Sequence, residues 1–182
     1  MFIQTEQTPN PATLKFLPGR TIMATGTAHF ANPEMAGSAP LAARLFAVDG
    51  VTAVFFGADF VSVTKDDAIE WYVLKPSILG ALMEHLTAGL PIVDESADAS
   101  LPETDDDEVV TQIKDLLDTR VRPAVAMDGG DIIFHGFEEG VVYLQMQGAC
   151  QGCPSSTATL KMGVENLLRH YVPEVARVEA VI

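Results

Sequence analysis

Gly148-Ala149-Cys150-Gln151-Gly152-Cys153-Pro154-Ser155-Ser156-Thr157 contains both cysteines of this 182-residue chain. The strand-like run from Val141 to Met146 leads into it, and Pro154, well suited to a first helical position, leads out. The pattern predicts a strand, a tight loop and a helix reaching about Tyr171. Cys153 then falls at or beside the helix N-cap, where unpaired amides and the positive end of the helix dipole stabilise a thiolate. Gly148 and Gly152 permit positive φ, which lets main-chain amides approach a sulfur or sulfide atom.

A disulfide between cysteines three positions apart closes too short a loop to staple a fold, so the pair reads as chemical rather than architectural. An iron-sulfur cluster generally takes four thiolates, and one chain offers two. Two copies related by a two-fold axis complete the set, which makes a homodimer the economical arrangement. Zinc accepts the same four cysteines. A thioredoxin-type dithiol also follows a strand and opens a helix, but the strands before Cys150 read as a hairpin rather than part of a β-α-β unit. Three functions stand side by side on this pattern: a cluster carrier, a dithiol/disulfide oxidoreductase and a zinc-bridged interaction module.

Working outward, Asp128-Gly129-Gly130 supplies a turn into a strand from Asp131 to His135, the hairpin partner of Val141 to Met146. Before it, Val109, Val110, Ile113, Leu116, Leu117 and Val121 form the apolar stripe of an amphipathic helix, disturbed by Pro123 near Arg122. A last strand runs through Val175 to Ile182. Between Pro91 and Glu108 the chain carries eight acidic residues and no Lys or Arg. Mutual repulsion and the scarcity of apolar surface give that stretch the composition of a flexible linker.

The N-terminal part repeats the same order of elements without a residue-level repeat. Thr13 to Leu17 reads as a strand and Ser38 to Val48 as a helix. Val51–Phe56 and Phe60–Thr64 form a hairpin around Gly57-Ala58-Asp59, and Pro76 opens a helix carrying Ile78, Leu79, Leu82, Met83, Leu86 and Leu90. The expectation is an α/β (α+β) chain of two small domains, 1–90 and 109–182, each in the order helix, β-hairpin, helix, joined by an acidic linker at 91–108.

A formal net charge of −14 argues against nucleic acid and anionic lipid as partners, because both require a basic footprint. Met1 to Leu17 has neither an apolar run of signal-peptide length nor the arginines of a transit peptide, and no transmembrane stretch is read. The expected place is the cytoplasm, or the mitochondrial matrix if a presequence has been removed.

Other residues weigh toward ordinary roles. Asp128 and Asp131 lack the run of oxygen ligands of a cation loop and read as a turn. His135 and His170 have no ligand spacing with the cysteines, and Lys161 and Arg169 read as solvated helix charges as readily as counter-ions for a cluster. Ser155, Ser156 and Thr157 suit sulfur contacts and helix N-H groups equally. Trp71-Tyr72 is assigned to core packing ahead of a partner face. Met23, Met35, Met83, Met127, Met146 and Met162 share no spacing and read as packing filler.

The cysteine stretch, preceded by Met127-Asp128-Gly129-Gly130-Asp131 and the hairpin, resembles the C-terminal domain of the NifU-like (Nfu) family. Thr8-Pro9-Asn10-Pro11-Ala12-Thr13-Leu14-Lys15-Phe16 and Val54 to Lys65 are similar to the N-terminal domain of the same family. The resemblance implies a non-enzymatic iron-sulfur cluster carrier or scaffold. On it, Cys150 and Cys153 of two subunits hold one 4Fe-4S cluster, received from an upstream assembly scaffold and passed to apo-proteins. It also implies a homodimer when cluster is bound.

Overall fold

The computed structural model describes residues 2–94, 107–149 and 154–181, excluding the side chains of 154–157. They fall into two compact units, Met1–Ala99 and Ser100–Ile182. Most of the acidic linker expected from composition, 95–106, lies outside the described residues. Glu108, counted with that linker, is instead the first residue of a helix, with Asp107 at its N-cap.

The first unit is built on a five-stranded antiparallel sheet in the order β1-β2-β5-β4-β3. Its strands are β1 (Gln4–Gln7), β2 (Thr13–Leu17), β3 (Ala28–Phe30), β4 (Val51–Phe56) and β5 (Val61–Lys65). Alternate residues of the inner strands, Leu14 and Phe16, Val54 and Phe56, Val61 and Val63, point to one face. There they bury against Leu41 and Leu45 of α1 (Pro40–Phe46) and Leu74, Ile78, Leu82 and Leu86 of α2 (Trp71–Thr87). Each such side chain contributes about 1.5–3 kcal/mol on burial. The opposite face is also covered at Lys15, Phe55 and Ser62, which are 7%, 2% and 1% exposed. Phe60 folds over it, with its ring 4.7 Å from Lys15 Nζ and 5.9 Å from the Phe55 ring.

Two expectations for this unit need correction. The helix expected over Ser38–Val48 is shorter, at Pro40–Phe46, and follows a 3₁₀ segment, Pro33–Ser38. The second helix starts at Trp71, and Pro76 lies inside it. Pro76 removes only the hydrogen bond that residue 76 would donate to Tyr72, and both residues are solvent-exposed, so water can serve that carbonyl.

In the second unit β6 (Gly130–Glu138) and β7 (Val141–Gly148) pair antiparallel, and β8 (Arg177–Val181) lies parallel to β7 on its other side. Together, β7, α5 (Pro154–Tyr171) and β8 make a β-α-β unit. The hairpin expected before the cysteines is present, and a β-α-β context is present as well. The strand context therefore does not separate the cysteine pair from a dithiol oxidoreductase.

The approach to β6 is irregular for a reason visible in the spacing of its core residues. Ile113, Leu117, Val121 and Val125 are all buried and lie four apart. Along an unbroken α-helix, three such steps would carry the last about 120° off the face of the first. The chain takes up the drift with a π-helical turn, Leu117–Val121, between α3 (Glu108–Leu116) and α4 (Arg122–Met127). The Arg122 N-H accordingly donates to Leu117 C=O, five residues back. Pro123 follows immediately and has no N-H with which to resume the tighter ladder at its own position.

Candidate cluster-binding loop

β7 ends at Gly148, which has φ +65°, a conformation that glycine adopts at no steric cost. Ala149 follows and is buried, and α5 starts at Pro154, as the sequence predicts. Cys150 and Cys153 lie between them, outside the described residues, as do the side chains of Ser155, Ser156 and Thr157. The structure thus gives the two shoulders of the loop: a strand end on one side and the N-terminus of an 18-residue helix on the other.

The first shoulder rests on the turn between α4 and β6. Gly130 stands opposite Gly148 in the β6-β7 register. The Ala149 N-H donates to Gly129 C=O at 3.2 Å, and Gly129 has φ +81°. These contacts are all main chain to main chain. Two facing glycines let the strands close up without intervening side chains.

Asp131, beside that turn, pairs with Arg122. Arg122 Nε and Nη2 donate to Asp131 Oδ1 and Oδ2, each at 2.9 Å, and the Ile132 N-H donates to Oδ1 at 2.8 Å. The Asp131 side chain is 3% exposed and that of Arg122 35%. A third guanidinium nitrogen, Nη1, donates to Asp118 Oδ1 at 3.0 Å. Hydrogen bonding to Asp131 holds the Arg122 guanidinium above its ordinary pKa, with Asp118 adding to the effect and burial opposing it. Removing Arg122 strands a desolvated carboxylate, at a cost of about 3 kcal/mol, toward the low end for a buried pair because the arginine keeps some contact with water. In sequence Asp131 reads only as part of a turn, and nothing there marks Arg122 as its partner. The readable half of the network was the helical spacing of Asp118 and Arg122.

The other candidates are dispersed. His135 is exposed on β6 beside a register shift between Phe134 and Gly136, and His170 stacks edge-on against Tyr171 in the last turn of α5. Among the described residues no group of three or more His, Cys, Asp or Glu side chains is placed to hold a metal ion. Lys161 pairs with Glu179 at 3.0 Å, and Arg169 lies 3.8 Å from Glu165. Trp71 packs against the core and donates Nε1-H to Pro11 C=O at 3.0 Å, whereas Tyr72 is 80% exposed and does not share the core role expected for the step. The methionines are not uniformly filler either: Met146 is buried, but Met127 and Met162 are 77% and 66% exposed.

The comparisons with known proteins cover both units. Residues 3–89 match the Nfu/NifU scaffold protein N-terminal family, and residues 113–179 match the NifU-like domain. The human protein named NFU1 iron-sulfur cluster scaffold homolog, mitochondrial, is 50% identical over 184 residues, spanning 100% of this chain and 72% of its own length. A Drosophila ananassae protein of the same name is 53% identical, and NifU-like protein 4, mitochondrial, of Arabidopsis thaliana is 52% identical. The chain spans 64% and 65% of the length of those two relatives. Among solved structures, a NifU-like protein from Saccharomyces cerevisiae covers 52% of this chain at 26% identity, with a TM-score of 0.48. With one Nfu/NifU family matched on each unit and half of its aligned positions identical to a human relative, the chain belongs to the Nfu/NifU family of iron-sulfur cluster scaffolds.

Proposed function

We propose that this chain carries a 4Fe-4S cluster as cargo, held between two copies by Cys150 and Cys153 of each, and hands it to apo-proteins. The observation that carries the reading is a pair of thiols at the junction of β7 and α5, in a chain whose family consists of iron-sulfur scaffolds. A four-thiolate cluster needs a second chain when each supplies two. A cluster held at a two-fold interface has no more than two ligands to lose on either side. Incoming acceptor thiolates displace them one at a time, the same exchange logic by which thiolates displace one another at sulfur. No covalent catalysis is involved, and the chain is not an enzyme.

Partners follow from that chemistry: an upstream scaffold that supplies the cluster and acceptors that present free thiolates. Residues 1–90 act as a recognition domain and 109–182 as the cluster domain. The acidic stretch joins them, shortened at both ends: Ile92 and Val93 pack against the first core and the Asp94 N-H donates to Ser38 C=O, while Glu108 begins α3. The work takes place where thiols stay reduced, the cytosol or the mitochondrial matrix. Among the described residues no helix is long and apolar enough to cross a membrane.

Anaerobic reconstitution with iron and sulfide tests the reading. The expected product is a brown dimer with one cluster per two chains, and Cys150→Ala or Cys153→Ala should fold yet retain no cluster. A colourless monomer with a reversible internal disulfide would replace the carrier with a dithiol oxidoreductase. A colourless dimer that releases zinc to a chelator would replace it with a zinc-bridged module.

A further inference from the structure

We infer that Arg122 and Asp131 are positioning residues for the cysteine loop, and that their pairing sets how long the cargo is held. The inference rests on the proposed role of Cys150 and Cys153. Its structural basis is the short path from the pair to the loop. Asp131 directly follows Gly130, which faces Gly148, and Gly129 receives the Ala149 N-H. Residues 129 and 130 have no side chains with which to hold themselves in place. Asp131, the next residue, has one, and it is buried and gripped at both oxygens by Arg122.

A bidentate fork fixes orientation as well as distance, which a single ammonium contact does not. Arg122 in turn is placed by the π-helical turn, whose last hydrogen bond is made by its own N-H. The chain of support runs from the helix register, through one side-chain pair, to the carbonyl on which the residue before Cys150 rests. Asp118, 60% exposed, holds only the outer nitrogen of the guanidinium and is not part of that path.

The experiment has two readouts on the full-length chain. Hydrogen exchange in the apo protein compares the Ala149 amide with that of Leu144, a fully buried residue of β7. Cluster loss to an iron chelator is timed in the reconstituted protein. In Asp131→Asn and Arg122→Lys, Ala149 exchange should accelerate more than that of Leu144, whose change reports the loss of overall stability, and cluster loss should speed up by about 10-fold, the low end of what a lost support around a metal site costs in affinity. Asp118→Asn should resemble the parent in both. Retention of charge in Arg122→Lys should give no rescue, because the fork is gone.

Equal acceleration at Ala149 and Leu144 would make the pair a general fold element and overturn the inference, as would unchanged exchange at Ala149. If Ala149 responds as expected but the parent chain binds no iron and sulfide, the positioning relationship stands and the carrier reading fails.

Discussion

Glu165 of α5 accepts the Val178 N-H on Oε2 at 3.2 Å, so this amide of the edge strand β8 is satisfied by a side chain from the crossover helix. An open strand edge is a template for another chain, and a carboxylate seated on it blocks that route. Glu165→Ala should lower stability by about 1–3 kcal/mol through the unpaired N-H. It should also raise the concentration-dependent association of the apo protein, read by light scattering. Glu165→Gln retains an acceptor and should remain close to the parent in both measurements.

Gly57 is held to glycine by its neighbour and not by its own backbone angles. A Cβ there would lie 2.2 Å from Phe60 Cε1, so the ring over Lys15 and Phe55 would have to move. Gly57→Ala should destabilise the first unit by about 1–3 kcal/mol, the range for overpacking. A Gly57→Ala/Phe60→Leu double variant should cost less than the sum of its parts. Urea denaturation of the four corners of that cycle checks the coupling.

Trp71, the only tryptophan, ties the start of α2 to the loop before β2 through its bond to Pro11 C=O. Trp71→Phe keeps most of the apolar contact and removes the donor, with an expected loss of about 1 kcal/mol. The urea midpoint, followed by circular dichroism because the variant has no indole, reports it.

The Lys161-Glu179 pair predicts an acid-side effect. Hydrogen bonding to Lys161 first, then its charge, with a contribution from Arg177, lowers the Glu179 pKa from its ordinary carboxylate value. A carboxylate with a depressed folded pKa adds stability that is fully present above its unfolded value and lost as pH falls through the folded one. Lys161→Gln should therefore differ from the parent near neutral pH and converge with it in thermal melts as the pH falls through the depressed Glu179 value. The Glu179 side-chain carbon, followed by NMR, should titrate at higher pH in the variant.

Locally encoded parts of the fold were readable. The strand Thr13–Leu17, both hairpins and the helix from Pro154 to Tyr171 follow from alternation, turn residues and a proline at a helix start. β1 and β3 were not read: Gln4–Gln7 is polar and largely exposed, and it becomes a strand only by pairing with β2. The start of α2 is not legible at Pro76, because a proline also reads as a helix opener and solvent exposure lets this one sit more than a turn inside. The parallel direction of β8 depends on how α5 packs, which no local pattern records.

At the site, the cysteine pair is legible in the sequence because its motif is contiguous. The Arg122-Asp131 pairing is hidden for the opposite reason. Arg122 and Asp131 are nine positions apart, on a helix and a strand, and only their burial together distinguishes them from surface charges.

The turn beneath the cysteine loop meets it through peptide groups, Gly129 C=O with Ala149 N-H and the facing backbones of Gly130 and Gly148. Peptide groups neither titrate nor oxidise over the range in which thiols do both. During an oxidative burst the sulfurs would change state while these contacts kept their shape. Early lesions such as a disulfide or a sulfenic acid are the ones that reductants reverse. Reduction of such a lesion would therefore leave Gly148 and Ala149 seated on the same main-chain contacts as before.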